Sequence, residues 1–156
     1  MIAGKRIVRS MERNRFHYSS KSKERLVTLH PDLQVIFSTV LETRDHSILE
    51  GHRSDARQNE LFEQGKTKVR AGKSQHNFVP SMAVDVAPWP FAEKDWLDRD
   101  KWHLFAGYVL GIADRLYEEG KVIYRLRWGG DWDKDWEASD NEFDDFPHFE
   151  LIWRQR

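Results

Sequence analysis

The chain has 156 residues, of which 39% are hydrophobic and 33% charged, and its formal net charge is −1. This composition is that of one globular domain with a core, and it excludes a disordered chain. There is no cysteine, which excludes disulfides, cysteine zinc fingers and a cysteine nucleophile, so any bound metal must be held by histidine and carboxylate.

No stretch reaches the roughly 18 apolar residues of a membrane span. The N-terminus is basic but has no apolar segment typical of a signal peptide, and nothing indicates a nucleic-acid-binding module. Residues 1–27 carry eight Lys or Arg against two acids, whereas residues 131–150 carry nine acids against one Lys. The basic start fits either contact with anionic surfaces or a solvated, frayed terminus, and residues 1–20 are predicted to form a basic arm. We predict a single domain over 1–156, since neither repeats nor linkers occur.

The first half of the chain predicts three helices and one strand. Ser20 or Ser22 is placed to cap a short helix that ends at Leu26. A second helix begins at His30-Pro31. Its apolar stripe comprises Leu33, Ile36, Phe37, Val40 and Leu41.

Residues 47–52 have strand character and lead into the third helix. That helix is predicted to be capped by Ser54, to turn Leu61 and Phe62 inward, and to end at Gly65.

The second half begins with a polar loop over 66–81. A strand over 82–86 stops at the 88–90 Pro-Trp-Pro turn. The longest helix is predicted over 99–119, with Gly120 after its end. Its buried stripe is Trp102, Phe105, Ala106, Val109, Ala113 and Leu116.

A strand over 121–128, an acidic loop over 129–145 and a last strand over 148–153 complete the pattern. Helices and strands are mixed without βαβ alternation, so the predicted class is α+β: a compact single domain with helices on a small, mainly antiparallel sheet.

Three residues are candidate metal ligands. A catalytic zinc site needs three protein ligands and one open position. His76 precedes a predicted strand, Asp85 lies on it, and His148 begins the last strand directly after Pro147. Asp145, three residues before His148, is either a carboxylate that accepts a proton from water or one more member of the acidic loop. Spacing alone leaves both interpretations open.

A set of motifs in this order resembles the D-alanyl-D-alanine carboxypeptidase and L-alanyl-D-glutamate endopeptidase family of zinc enzymes, in a subtype found in phage endolysins. The resemblance covers roughly residues 25–153. The matching positions are Gly51, Arg53, Ser54, Gln58, Ser74, His76, Ala83, Asp85, Asp145 and His148. One departure concerns spacing, because His76 and Asp85 are nine residues apart where the commonest form of the family has seven.

The resemblance implies roles for these residues and a hedgehog/DD-peptidase-like zinc peptidase fold. His76, Asp85 and His148 would bind zinc. Asp145 would act as general base and then general acid, and Arg53 would stabilise the oxyanion. Ser74 and Gln58 would orient the substrate peptide.

Glu150 shares a strand face with His148, so it is either an orienter of that ligand or an edge carboxylate without a role. Five histidines match no family position, and we interpret them as structural or solvent-facing. They are His17, His30, His46, His52 and His103.

The acidic loop predicts a second, calcium-binding site. Asp131, Asp133, Asp135 and Glu142 fall at positions 1, 3, 5 and 12 of an EF-hand-like register. Position 6 holds Trp136 where the pattern has glycine, and no helix is predicted to follow. The resemblance implies calcium too, since some related endolysins are regulated by it in this region.

The function expected from the resemblance is that of a phage endolysin. It would hydrolyse the peptidoglycan stem peptide, at the L-alanyl-D-glutamate bond, after leaving the host cytoplasm for the cell wall through a holin lesion. A monomer is expected. Two alternatives stay open: a D-alanyl-D-alanine carboxypeptidase or dipeptidase, and a non-catalytic zinc-binding domain that recognises the wall.

Overall fold

The computed structural model describes residues 15–153, and it confirms the α+β class. Four helices and four strands alternate irregularly along the chain. The helices are α1 (Ser20–Leu26), α2 (Pro31–Leu41), α3 (Asp55–Glu63) and α4 (Arg99–Glu118). The strands are β1 (His46–Glu50), β2 (Ala83–Pro88), β3 (Arg125–Gly129) and β4 (Asp145–Ile152). Two short 3₁₀ turns, Gln75–Asn77 and Glu93–Leu97, interrupt the loops on either side of β2.

The four strands form one antiparallel sheet in the order β1-β2-β4-β3. Because side chains alternate along a strand, each strand presents one set of residues to the core and another to the opposite face. In β4, Phe149 and Leu151 are core residues, and His148 and Glu150 alternate with them along the strand. The sheet thus separates a packed face from a face that carries polar chemistry.

The core lies between the sheet and the helices. Phe37 of α2 and Trp102 of α4 are almost fully buried, and Phe37 packs edge-on against Phe149. Burying one such large side chain stabilises the fold by roughly 2–3 kcal/mol. The predicted stripes of α2 and α4 are buried in full, which confirms them as core.

Local hydrogen bonds explain where several elements begin. His30 caps α2, since its Nδ1 accepts from the Asp32 N–H at 3.1 Å. Asp32 in turn accepts from the N–H groups of Ile123 and Tyr124 at 2.8 and 2.9 Å. These two N–H groups are therefore unavailable to a strand ladder, and β3 begins at Arg125, four residues later than predicted.

Other predicted boundaries were also wrong. The cap of α1 is Ser19, whose side chain accepts from the Ser22 N–H at 3.2 Å, rather than Ser20 or Ser22. Strand β4 begins at Asp145, three residues earlier than predicted. Phe62 is only partly buried, because it lies under the guanidinium of Arg70 instead of facing the core.

The predicted basic arm covers residues 1–20, of which residues 1–14 lie outside the described part of the chain. Residues 15–20 join the domain: Tyr18 is buried, and its hydroxyl donates to the Phe37 carbonyl oxygen and contacts His46. Within 15–153, no helix has both the length and the apolar composition needed to cross a membrane.

Candidate active site

Three side chains converge on the polar face of the sheet. Asp85 on β2 lies directly opposite His148 on β4, and His76 comes from the 3₁₀ turn that precedes β2. His76 Nε2, Asp85 Oδ1 and His148 Nδ1 lie 3.2 Å from one another. Ligands about 2.0–2.1 Å from a tetrahedral zinc ion lie about 3.3 Å apart, so this spacing fits such an ion.

The far nitrogens of both histidines are already hydrogen-bonded. His76 Nδ1 lies 2.7 Å from the Gly51 carbonyl oxygen, and His148 Nε2 lies 2.9 Å from Glu150 Oε2. In neutral histidine one nitrogen donates and the other accepts, so the two nitrogens that face Asp85 are acceptors whenever both rings are neutral, as metal binding requires. Three acceptors at this spacing need a cation between them, which is the arrangement of a metal site with its supporting hydrogen bonds.

Electrostatics within the cluster favour a positive charge. Burial alone would lower the pKa of His148, but hydrogen bonds to Asp85 and Glu150 raise it to about 10. Burial would raise the pKa of Asp85, but His76 and His148 lower it below its usual range. The carboxylates of Asp85 and Glu150 therefore favour the binding of a proton or a metal ion at this cluster.

Glu150 supports His148 and is itself held by Arg127. The Arg127 Nε donates to Glu150 Oε1 at 3.1 Å, its Nη2 donates to the same oxygen, and its Nη1 donates to the Trp132 carbonyl oxygen at 3.2 Å. The Trp132 ring packs on His148 at 5.6 Å between centroids. Of the two interpretations of Glu150, the structure fits the orienter of a ligand.

Arg53 lies beside the cluster and is nearly buried. Its backbone N–H donates to the His76 carbonyl oxygen at 2.8 Å. Its guanidinium donates to Glu50, to Gln58 Oε1 at 2.9 Å and to Asp85 Oδ2 at 3.4 Å. Glu50 reaches it because a bulge in β1 brings Glu50 opposite Asp85.

Gln58 does not line the cavity, although a direct contact with substrate was predicted. It is fully buried, and its Nε2 donates to the carbonyl oxygen of Val69 at 2.7 Å and to Thr67 Oγ1 at 3.3 Å. It lies behind Arg53, whose guanidinium donates to its Oε1.

Ser74 caps the 3₁₀ turn, accepting from the His76 N–H at 3.2 Å, and it also lines the cavity. The extended spacing between His76 and Asp85 is taken up by a loop that returns alongside this turn. The Met82 N–H donates to the Gln75 carbonyl oxygen at 3.1 Å, which brings β2 back to the histidine.

Asp145 opens into the same cavity from the start of β4. Burial and the nearby Asp85 raise its pKa, and His148, His76 and Arg53 offset part of that rise. Its backbone pairs with Gly129 after an irregularity in the β3–β4 ladder. A side chain at position 129 would collide with the Asp145 carbonyl oxygen, so the close approach requires glycine.

The cavity has a volume of about 410 Å³, which is the size of a small-ligand site. One wall comes from residues 66–75 and the other from the segment after β3, through Trp132 and Phe143. The two walls meet where the Lys68 ammonium lies 4.7 Å from the centre of the Phe143 ring.

The predicted calcium site is assembled only in part. Carboxylate oxygens of Asp131, Asp133 and Asp135 lie within 4.8 Å of one another, whereas Glu142 is exposed and outside this group. Trp136, at the glycine position of the pattern, has φ of 71°, the left-handed conformation that normally favours glycine. The calcium site stays a prediction.

The histidines outside the motifs lie away from the metal cluster. His46 is buried in the core, His30 caps α2, and His103 packs on Trp128. His17 and His52 are exposed.

Comparison with known proteins identifies the family of the chain. Residues 14–152 match the family described as phage L-alanyl-D-glutamate peptidase, and the chain belongs to this family. It is 35% identical over 118 residues to the peptidoglycan L-alanyl-D-glutamate endopeptidase CwlK of Bacillus subtilis. The aligned region covers 69% of this chain and 61% of the length of that relative.

The fold also resembles the crystal structure of the Serratia marcescens L-Ala D-Glu endopeptidase ChiX. The TM-score is 0.60 at 29% identity, and the match covers 86% of this chain and 89% of that one.

Sequence reasoning missed Glu50, Arg127 and Trp132 as parts of the site. Arg127 has a detectable signal, since it falls on the polar face of its strand, opposite Glu150. Glu50 has none, because strand alternation would put it on the core face with Ile48, and only the bulge brings it opposite Asp85. Trp132 comes from an irregular segment whose path no periodicity predicts.

Proposed function

We propose that this chain is a zinc-dependent endopeptidase that hydrolyses the L-alanyl-D-glutamate bond of the peptidoglycan stem peptide. The observation that carries the proposal is the convergence of three acceptor atoms 3.2 Å apart in a cavity that also presents Asp145 and Arg53. Two imidazoles and one carboxylate suit zinc. The family match and the two similar endopeptidases support the choice of bond.

Zinc held by His76, Asp85 and His148 would polarise the scissile carbonyl and activate a water molecule. Asp145, which lines the same cavity, would accept the proton of the attacking water and pass it to the leaving amine. Arg53 presents a nearly buried cation to the carbonyl oxygen as negative charge develops there. Glu50 and Gln58 hold that cation in place.

Replacing Asp145 by asparagine tests the assignment of the base. Asp145→Asn preserves shape but cannot accept the proton, so we expect unchanged zinc content and a loss of roughly 10²–10⁴-fold in muropeptide hydrolysis. The matched control is Asp144→Asn, since Asp144 forms an exposed ion pair with Arg99 at 2.9 Å and should leave turnover unchanged. Full turnover by Asp145→Asn would remove Asp145 from the mechanism.

Mass spectrometry of digested peptidoglycan identifies the bond. New N-terminal D-glutamate is the expected product. Release of D-alanine would show the carboxypeptidase instead, and zinc binding without any product would show a non-catalytic wall-binding domain.

We further propose that the chain acts as a phage lysis enzyme, monomeric, made in the host cytoplasm and released to the wall through a holin lesion. The description of its family as phage peptidases supports this role. Expression in a Gram-negative host should cause lysis only when a holin is co-expressed. Lysis without a holin would contradict holin-dependent release, and sedimentation at twice 18.6 kDa would contradict the monomer.

A further inference from the structure

One wall of the cavity is strongly basic. Residues 66–73, which we name the basic loop, contain four Lys or Arg and no acid. Lys66, Lys68 and Lys73 line the cavity, whereas Arg70 forms an ion pair with Glu63 at 3.1 Å and turns away.

The basic loop is anchored by three amide side chains. Gln58 donates to the Val69 carbonyl oxygen at 2.7 Å, Asn59 Oδ1 accepts from the Ala71 N–H at 3.0 Å, and Asn77 Oδ1 accepts from the Gly72 N–H at 3.1 Å. Asn77 also donates to the Arg53 carbonyl oxygen at 2.9 Å. The backbone that carries the three lysines is thus fixed to the elements that hold the catalytic arginine.

Among the described residues, the three lysines are the cations of the cavity lining that have no carboxylate partner. Arg53 is paired with Glu50 and Asp85, and Arg127 is paired with Glu150. Within residues 15–153, none of the three lysines has a carboxylate within 4.0 Å.

The opposite wall has the opposite charge. Residues 131–145 contain eight acids and one Lys, and they supply Trp132, Phe143 and Asp145 to the cavity. An anionic group on a bound ligand is therefore attracted to the basic loop and repelled by the other wall.

A glutamyl residue has two carboxyl groups and uses only one to continue a peptide chain. The residue after the proposed scissile bond accordingly carries a free carboxylate within a few bonds of the reacting amide. This charge is what distinguishes it from a neutral residue at the same position.

We propose that Lys66, Lys68 and Lys73 form a subsite for the free carboxylate of the D-glutamyl residue, and that this contact selects the substrate and sets the direction in which the peptide lies. The inference rests on the proposed function. The D-glutamyl residue, whose amine is the leaving group, then lies against the basic loop. The preceding alanyl side then extends away from that loop.

Two synthetic stem peptides, identical except that the free glutamyl carboxyl is an acid in one and an amide in the other, test the subsite. The zinc-loaded wild-type protein should cleave the acid with a kcat/KM roughly 10-fold higher, since exposed charge pairs each contribute modestly. Replacing all three lysines by glutamine should bring the ratio close to one through a higher KM for the acid, with the amide cleaved as before.

Arg70→Gln is the matched control, because it removes one charge from the same loop without touching the cavity, and it should keep the wild-type ratio. Circular dichroism and zinc content should be unchanged in every variant. An unaltered acid-to-amide ratio in the triple variant, or equal cleavage of both peptides by the wild type, would overturn the subsite alone. Cleavage of neither peptide by the wild type would overturn the proposed function and the subsite with it.

Discussion

Among the described residues, the His76–Asp85–His148 group and the Asp131–Asp133–Asp135 group of potential metal ligands differ in how they are supported. In the first, His76 and His148 are buried, and each has its far nitrogen hydrogen-bonded. In the second, Asp133 and Asp135 are exposed, and only Asp131 is buried. In both groups the ligand atoms lie close together. The groups differ in the surrounding hydrogen bonds, which in the first group fix the ligands before an ion arrives.

Asp131 shows the difference most clearly. Burial raises the pKa of Asp131, and the negative charge of Asp135 raises it further. A hydrogen bond from the Trp136 backbone N–H lowers this pKa and so offsets part of the rise. Its other oxygen has no hydrogen-bond partner within the described chain. The relative positions of Asp131, Asp133 and Asp135 therefore depend on the path of an irregular loop, whereas Asp85 and His148 are fixed by neighbouring strands.

Removing a ligand from the first group should have the largest effect. His148→Ala leaves two ligands, so we expect zinc to be lost and muropeptide hydrolysis to fall by more than roughly 10³-fold. Metal analysis after gel filtration and a digestion assay measure both. Normal zinc content in a folded His148→Ala protein would contradict the ligand assignment.

A buried histidine outside the metal cluster should make stability depend on pH. Burial lowers the pKa of His46 to about 4 from 6.5. The unfolded chain takes up a proton below pH 6.5 that the folded chain excludes until about pH 4. Stability is therefore lost as the pH falls through this window, by about 2 kcal/mol between pH 7 and pH 4.5.

His46→Gln keeps a polar partner for Tyr18 but cannot titrate, so it should lack this part of the acid destabilisation. Urea unfolding at both pH values in the presence of a chelator makes the comparison, because His76 and His148 then contribute equally to both proteins. Equal pH dependence in the two proteins would show that His46 does not titrate as its burial indicates.

Loosening a ligand without removing it should have an intermediate effect. In Glu150→Gln the charged acceptor for His148 and Arg127 is lost, so zinc affinity should fall by about 10–100-fold. Competition with a chromophoric chelator measures the change. Glu142→Gln serves as the control, since Glu142 is exposed and lies outside the cavity lining, and affinity equal to this control would remove Glu150 from the support of the site.

The smallest effect is expected in the acidic loop. Asp133→Asn with Asp135→Asn should leave zinc content and turnover within about twofold of the wild type, since both residues are exposed. Calorimetric titration of calcium into the zinc-loaded wild type should give heat that the double variant lacks. No heat from the wild type would end the calcium prediction.

The sequence predicted those parts of the molecule that follow a regular period or a local motif. The stripes of α2 and α4 were predicted because helical spacing repeats over many residues. The grouping of His76, Asp85 and His148 was predicted because their motifs are short and ordered along the chain. Contacts that depend on sheet irregularities could not be predicted: a bulge places Glu50 against Arg53, and another shift puts Asp145 on a strand.

Gln58 illustrates a different limit. Its motif indicated importance but not location, because a glutamine that contacts a peptide and one that holds an arginine look identical in sequence. Only the helix α3 and the basic loop, packed together, show that its amide is enclosed.

The contact between Gly129 and Asp145 determines which changes the site tolerates. Most positions in a core are damaged when atoms are removed, but here even the single methyl group of alanine would displace the backbone that carries the proposed base. Position 129 has no chemistry of its own, and its mutational tolerance is nonetheless set by the backbone of Asp145 on the neighbouring strand. An engineer who varies the residues around this cavity would have to leave that small space empty.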